Sequence, residues 1–281
     1  MSIRFSVSLN LASSLFWISL MVDDLAPFES PKELIQGAKE NLVQLEADCV
    51  AFGDNCPYEF VSRIDNKAGE RIVALRLQRR MPPRIRRIAS TILKESRLAL
   101  DQAMCDAAIE LGRKDAKNVY FPFGKSVADL RHSRREKCRD VDRRIVAFAL
   151  RFKPYYGGNP LLWTLARLAT HSHQRIVAVR PEDAGIYLQG AILQVTGPMW
   201  LVLSKWCDLH NEMQVARLPG VASITLNPDA VLSLDVVFGA SGEAVADRPL
   251  VASLNEFIGI AERIVLGLEA ETARLKAITT I

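Results

Sequence analysis

ERIVALRLQRRMPPRIRRIASTILKESRLALDQAMCDAAIELG, residues 70–112, changes its hydrophobic period in the middle, and that change decides the fold. Up to Leu77 apolar and polar residues alternate as in a half-buried strand. Pro82 and Pro83 then end the strand, because proline has no N–H for a ladder and is at home in the first turn of a helix. From Arg84 to about Gly112 the apolar residues Ile85, Ile88, Ile92, Leu100, Ala103, Met104 and Ala107 recur at helical spacing, which predicts a long amphipathic helix. Just upstream, YEFVSRID (58–65) alternates as well. The turn residues Asn66-Lys67-Ala68-Gly69 between the two runs predict a β-hairpin. Before it, SPKELIQGAKENLVQLEADCVAF (30–52) reads as a helix with Ser30 as N-cap, Pro31 in the first turn, and Leu34, Ile35, Ala38, Leu42, Leu45 and Val50 on its apolar stripe.

Downstream, YFPFG is extended, and the charged segment SVADLRHSRREKCRDVDRRIVAFALRF (126–152) forms one or two helices before the turn YYGGNP. Residues 160–170 are apolar nearly all round, as in a buried helix. From Arg175 the texture becomes short β-rich runs (RIVAV, IYLQGAILQV, MWLVLSKW, MQVAR, SITL, VLSLDVVF) separated by turn residues, so antiparallel pairing is expected. A closing helix spans about 249–277. The fold class is therefore α+β: a helical first half with a β-hairpin, a small antiparallel sheet, and a closing C-terminal helix. Residues 30–281 are expected to form a single domain, with a helical lobe over about 30–174 and a β-rich lobe with the closing helix over about 175–281. Residues 1–29 are an N-terminal extension: either translation starts at Met21, or the serine-interrupted apolar stretch before it is a weak signal or anchor.

A chain of 281 residues, 49% of them hydrophobic, buries a substantial core, and its formal charge of +4 is not the signature of a dedicated nucleic-acid binder. The distribution of charge matters more. RLQRRMPPRIRR carries Arg76, Arg79, Arg80, Arg84, Arg86 and Arg87, and RHSRREKCRDVDRR carries seven basic residues diluted by Glu136, Asp140 and Asp142. Such runs are ordinarily solvated faces. A groove tracking phosphates would need both on one side of the fold. Few aromatic residues accompany them, so base stacking of the single-strand-binding kind is not expected. Five cysteines without CxxC pairing suit reduced thiols in the cytoplasm, and Cys207 with His210 lacks the second ligand pair of a zinc site. No Gly-rich phosphate loop, HExxH, GxSxG or kinase signature is present, and FGASGE reads as a turn. No metal, cofactor, membrane span or sequence-specific DNA motif is therefore expected.

The order of elements resembles that of a widespread group of bacterial proteins of uncharacterised function. Their pattern runs from a first helix and hairpin into a double proline, an R-x-x-x-D helix, an F-P-[FI] segment and an apolar helix ending in a D-K-H-R-like tetrapeptide. The matching residues are RRMPPR, Arg97 with Asp101, Phe121-Pro122-Phe123, and His171-Ser172-His173-Gln174. Here histidine stands for the pattern's aspartate at 171 and glutamine for its arginine at 174. The long helix also lacks the pattern's histidines. A looser resemblance is to HEPN-type helical domains, marked by an arginine, four to six residues and a histidine near a helix end. Arg167 and His173 are five residues apart in that sense. This resemblance implies RNA or nucleotide binding and metal-independent RNA cleavage.

Such cleavage needs a general base for the 2′-hydroxyl and a cation for the phosphorane. Arg167, His171 and His173 are the catalytic candidates, with Arg97, Asp101, Arg84, Arg87 and Arg175 as support or phosphate contacts. On an ideal helix, six residues advance about 600°, which leaves Arg167 and His173 roughly 120° apart. His171, four residues after Arg167, shares its face better. The competing expectation is that the cluster caps the helix C-terminus and the protein is a non-catalytic partner or homodimer module. An exposed Arg97–Asp101 pair contributes a few tenths of a kcal/mol; a buried one is expected to bridge to the Arg167/His173 cluster.

Overall fold

Pro82 adopts an extended backbone (φ −54°, ψ 132°) and the long helix starts at the next residue, as the double proline requires. The structure is a computed structural model that describes residues 26–55, 58–114, 116–139, 141–170, 177–179, 192–201, 207, 210–226, 236–238, 245 and 248–279. In chain order its elements are α1 (Glu29–Asp54), β1 (Tyr58–Asp65), β2 (Glu70–Leu77), α2 (Pro83–Glu110), α3 (Val127–Lys137), α4 (Arg143–Arg151), α5 (Pro160–Thr170), β3 (Val177–Val179), β4 (Ile192–Val195), β5 (Trp200–Leu201), β6 (Glu212–Pro219), β7 (Ile224–Leu226), β8 (Val236–Phe238) and α6 (Leu250–Thr279). This is the expected α+β class, and every strand pairing is antiparallel. No helix among the described residues is long and apolar enough to cross a membrane.

Helix α2 is the axis of the helical core. Ile85, Ile92, Leu93, Leu100 and Met104 are fully buried along it, and Ala99, Ala103 and Ala107 let neighbouring helices approach closely. Helices α1, α5 and α6 all pack on α2. One detail corrects the sequence expectation. Ser30 is not the N-cap of α1: the helix starts at Glu29, Phe28 takes the cap position at φ 66°, and no side chain caps it. Tertiary bonds to α2 set this start, since Phe28 N–H donates to Asp106 Oδ2 (2.9 Å) and the Ser30 hydroxyl donates to Gln102 Oε1 (2.9 Å).

The hairpin does not stay with the helices. Its second strand pairs with β6, giving a four-stranded sheet in the order β1-β2-β6-β5 over a small core of Val73, Leu75, Met213, Val215 and Leu218. One sheet thus joins the two halves of the chain. Glu212 on β6 is buried beneath Arg63 of β1 (2.5 Å) and Arg76 of β2 (3.1 Å), so a single carboxylate ties three strands. Burial pushes this carboxyl up, but the hydrogen bonds and charges of the two arginines outweigh burial and hold it below its ordinary value of 4.5.

Two predictions follow from the packing. A Cβ at Gly124 would lie 2.3 Å from Leu130 N and 2.7 Å from Leu130 Cα, both backbone atoms of α3. Gly124→Ala should cost about 1–3 kcal/mol in urea unfolding, and an unchanged midpoint contradicts this close approach. For Glu212 the folded pKa is depressed, so its stabilisation is present above pH 4.5 and is lost as pH falls through the depressed value. Glu212→Gln should therefore be less stable than wild type at neutral pH. Unfolding across a pH series should show that gap narrowing in acid.

Candidate functional site

The R-x-x-x-D element folds into a tie between three segments. Arg97 and Asp101 lie one turn apart on α2, both side chains 16% exposed, with Arg97 Nε 3.3 Å from Asp101 Oδ2. Arg97 Nη1 also donates to the Ala166 carbonyl in the last turn of α5 (3.3 Å), and its guanidinium lies 4.3 Å from the Phe123 ring centroid. Asp101 Oδ1 accepts the Phe121 N–H (2.9 Å). The pair thus fastens the F-P-F segment and the end of α5 to α2. Burial pushes the Asp101 carboxyl up; Arg97, the Phe121 N–H and Lys137 pull it back only in part. The Ala166 carbonyl also accepts from the Thr170 hydroxyl (2.9 Å), so one carbonyl near the end of α5 gathers a hydroxyl and a cation from another helix.

Two thiols face the same extended segment. Cys105 donates to the Val119 carbonyl (3.2 Å) and Cys138 to the Tyr120 carbonyl (3.5 Å). Burial raises both, Cys138 to about 12, so each is a protonated donor at neutral pH and not a nucleophile. Among the described residues no group of three or more His, Cys, Asp and Glu side chains is arranged to hold a metal ion.

The second basic run builds a groove. The last turn of α3, the loop after it and one face of α4 enclose about 740 Å³. Arg134, Arg135, Arg139 and Arg143 rim the groove over Cys138, Val141, Val146, Ala147 and Leu150. The four arginines are exposed, and none of them makes an ion pair to a described residue. Of the run's three acids, the two described ones are engaged locally: Glu136 with His132 (3.0 Å), and Asp142 with Arg144 (2.9 Å) while it caps α4 by accepting Arg144 N–H; Asp140 lies outside the described residues. Arg134 and Arg135 sit in the C-terminal turn of α3, where the helix dipole favours positive charge. The groove therefore presents four cations to an anionic ligand, with an apolar floor.

Of the residues singled out from sequence, Arg97, Asp101 and the backbone beside Arg167 meet in one place, and Arg167 itself is half-buried in the last turn of α5. Arg97 reaches the last turns of α5 only through the Ala166 carbonyl, next to Arg167; the expected contact with His173 lies outside the described residues. His171, His173 and Arg175 lie outside the described residues. Arg84 pairs with Asp48 at the end of α1 (2.9 Å), and Arg87 is exposed nearby. The groove borders a second cavity that includes Arg113, just beyond the far end of α2. Lys137 and Cys138 lie beside Asp101, 14 residues beyond Arg87 on α2, so at 1.5 Å per residue the two basic runs are about 20 Å apart along the helix. They do not share one groove. Sequence reasoning missed the groove because charge spacing does not tell which acids are already paired.

Breaking the tie should be costly. Arg97→Ala leaves a buried carboxylate without its counter-charge and removes a donor from α5, so a loss of about 3 kcal/mol is expected. Arg97→Lys should recover little, because an ammonium lacks the planar fork that spans Asp101, Ala166 and Phe123. Chemical denaturation measures both. No family model, curated protein or solved structure matches this chain.

Proposed function

We propose that the protein binds RNA or a nucleotide through the arginine groove between α3 and α4. The observation that carries this reading is the set of four arginines without ion pairs to described residues, rimming one cavity of about 740 Å³. Arginine suits phosphate because its planar fork donates two parallel hydrogen bonds, and gathering several on one groove concentrates a charge that the whole-chain value of +4 conceals. The Arg97–Asp101 tie supports the groove from beneath: it anchors Phe121, while Tyr120 N–H bonds to the Lys137 carbonyl at the end of α3 (3.3 Å). On this reading Arg97 and Asp101 position the site and do not contact the ligand.

Cleavage is a separate element of the proposal, with Arg167 as the phosphate-stabilising cation and His171 or His173 as the base. It is tested in excess chelator. Loss of RNA cleavage in a folded His171→Ala or His173→Ala protein that still binds RNA adds ribonuclease activity to binding.

For binding, fluorescence anisotropy with a labelled mixed-sequence RNA across a salt series is the direct measurement. Each phosphate-contacting arginine replaced by alanine should lower the salt slope by about one. Arg135→Ala, Arg139→Ala and Arg143→Ala combined should weaken binding at least tenfold. Equal binding by that triple variant, or loss through Arg84→Ala and Arg87→Ala instead, overturns the assignment of the groove. No binding by the wild type at low salt overturns the function and leaves the non-catalytic partner module.

A further inference from the structure

We infer that Tyr120 is a stacking platform for one unpaired base, so that the ligand of the groove is single-stranded RNA; this rests on the reading of the groove as an RNA site. Tyr120 belongs to the extended segment held by Asp101. Its neighbours Val119 and Phe121 are buried, while its own side chain is left 43% exposed. The backbone of Tyr120 is bound on both sides, its N–H to the Lys137 carbonyl (3.3 Å) and its carbonyl to the Cys138 thiol (3.5 Å). An aromatic ring is therefore presented outward on a fastened backbone, where packing does not require one.

The ring lines a second cavity of about 390 Å³ with Arg113, Asn118, Glu136, Lys137 and Arg139. Arg139 also lines the arginine groove, so the two cavities adjoin. A phosphate on Arg139 would put the next base within the cavity that holds Tyr120. There the ring can stack, the Asn118 amide offers a donor and an acceptor, and Lys137 adds positive charge. Stacking on a single aromatic requires a base free of its own stack, which a duplex does not offer and a single strand does. Arg134, Arg135, Arg139 and Arg143 rim one cavity and Lys137 and Arg139 line the other, so the cations extend across both cavities, and a strand with several phosphates spans them where a single nucleotide occupies one.

The test compares anisotropy titrations of wild type, Tyr120→Ala, Tyr120→Trp and Arg139→Ala with a 12-nucleotide single strand, its duplex, and ATP as competitor. Tyr120→Ala is expected to remain folded by circular dichroism, because both backbone hydrogen bonds survive. It should bind the single strand about tenfold more weakly and the duplex within twofold of wild type, and Tyr120→Trp should restore binding. Wild-type affinity for the strand in Tyr120→Ala, with binding lost in Arg139→Ala, sinks the base subsite and leaves the groove standing. ATP displacing the strand at equal concentration, or a preference for duplex, overturns the single-strand inference. Failure of the wild type to bind any of the three removes the groove reading itself.

Discussion

Arg97 and Asp101 hold together parts of the chain that no sheet or helix ladder joins. The pair is mostly out of water, so leaving either charge alone would cost several kcal/mol, and each finds further partners that fix its direction. Asp101 accepts the N–H of Phe121, and Arg97 reaches the last turn of α5 while it lies over Phe123. Through these bonds the extended segment 119–124 is pinned to α2. On that segment rest the end of α3, through Tyr120 and Lys137, and the turn after α4, through Gly124 and Pro154. The groove between α3 and α4 therefore depends on a charge pair it does not contain.

The same arrangement explains how a chain of modest net charge builds a strongly basic surface. In the run RHSRREKCRDVDRR three acids lie among seven Lys and Arg residues, so a charge count shows an excess of positive charge but not which arginines are paired. In the fold Asp142 caps α4 and takes Arg144, and Glu136 is paired with His132 one turn earlier. Capping and i,i+4 pairing use these carboxylates locally. Arg134, Arg135, Arg139 and Arg143 are left to share one cavity. Burial meanwhile keeps the nearby thiols protonated, so the chemistry beside the groove is that of hydrogen-bond donors.

The strand-to-helix switch at Pro82 and Pro83, the hairpin, the long α2, the buried α5 and the closing α6 were legible because they rest on local rules: period two or 3.6, and proline's missing donor. Ser30 was misread for a reason outside local rules, since its hydroxyl bonds to Gln102 on a helix far along the chain. The pairing of β2 with β6 was also not legible. Neither strand alternates in burial, β2 having four buried residues in a row, because each pairs inside a sheet; a strand pattern does not say which strand is the partner, and the hairpin proved to belong to a sheet shared with the second half of the chain. Of the candidate site, Arg97 and Asp101 could be picked out as an i,i+4 pair, but not the carbonyl, the N–H and the aromatic face they engage. Tyr120 could not be picked out at all, for its outward position is set by the anchoring of its neighbours.

By itself the sequence determined the kinds of element, their order and the α+β class, because these follow from interactions between residues a few positions apart. Only the tertiary structure decided which carboxylates are already paired, which arginines meet at one groove, and that the arginines of the other basic run do not line it. Those outcomes depend on distances between residues far apart in the chain. Composition and spacing carry no measure of such distances.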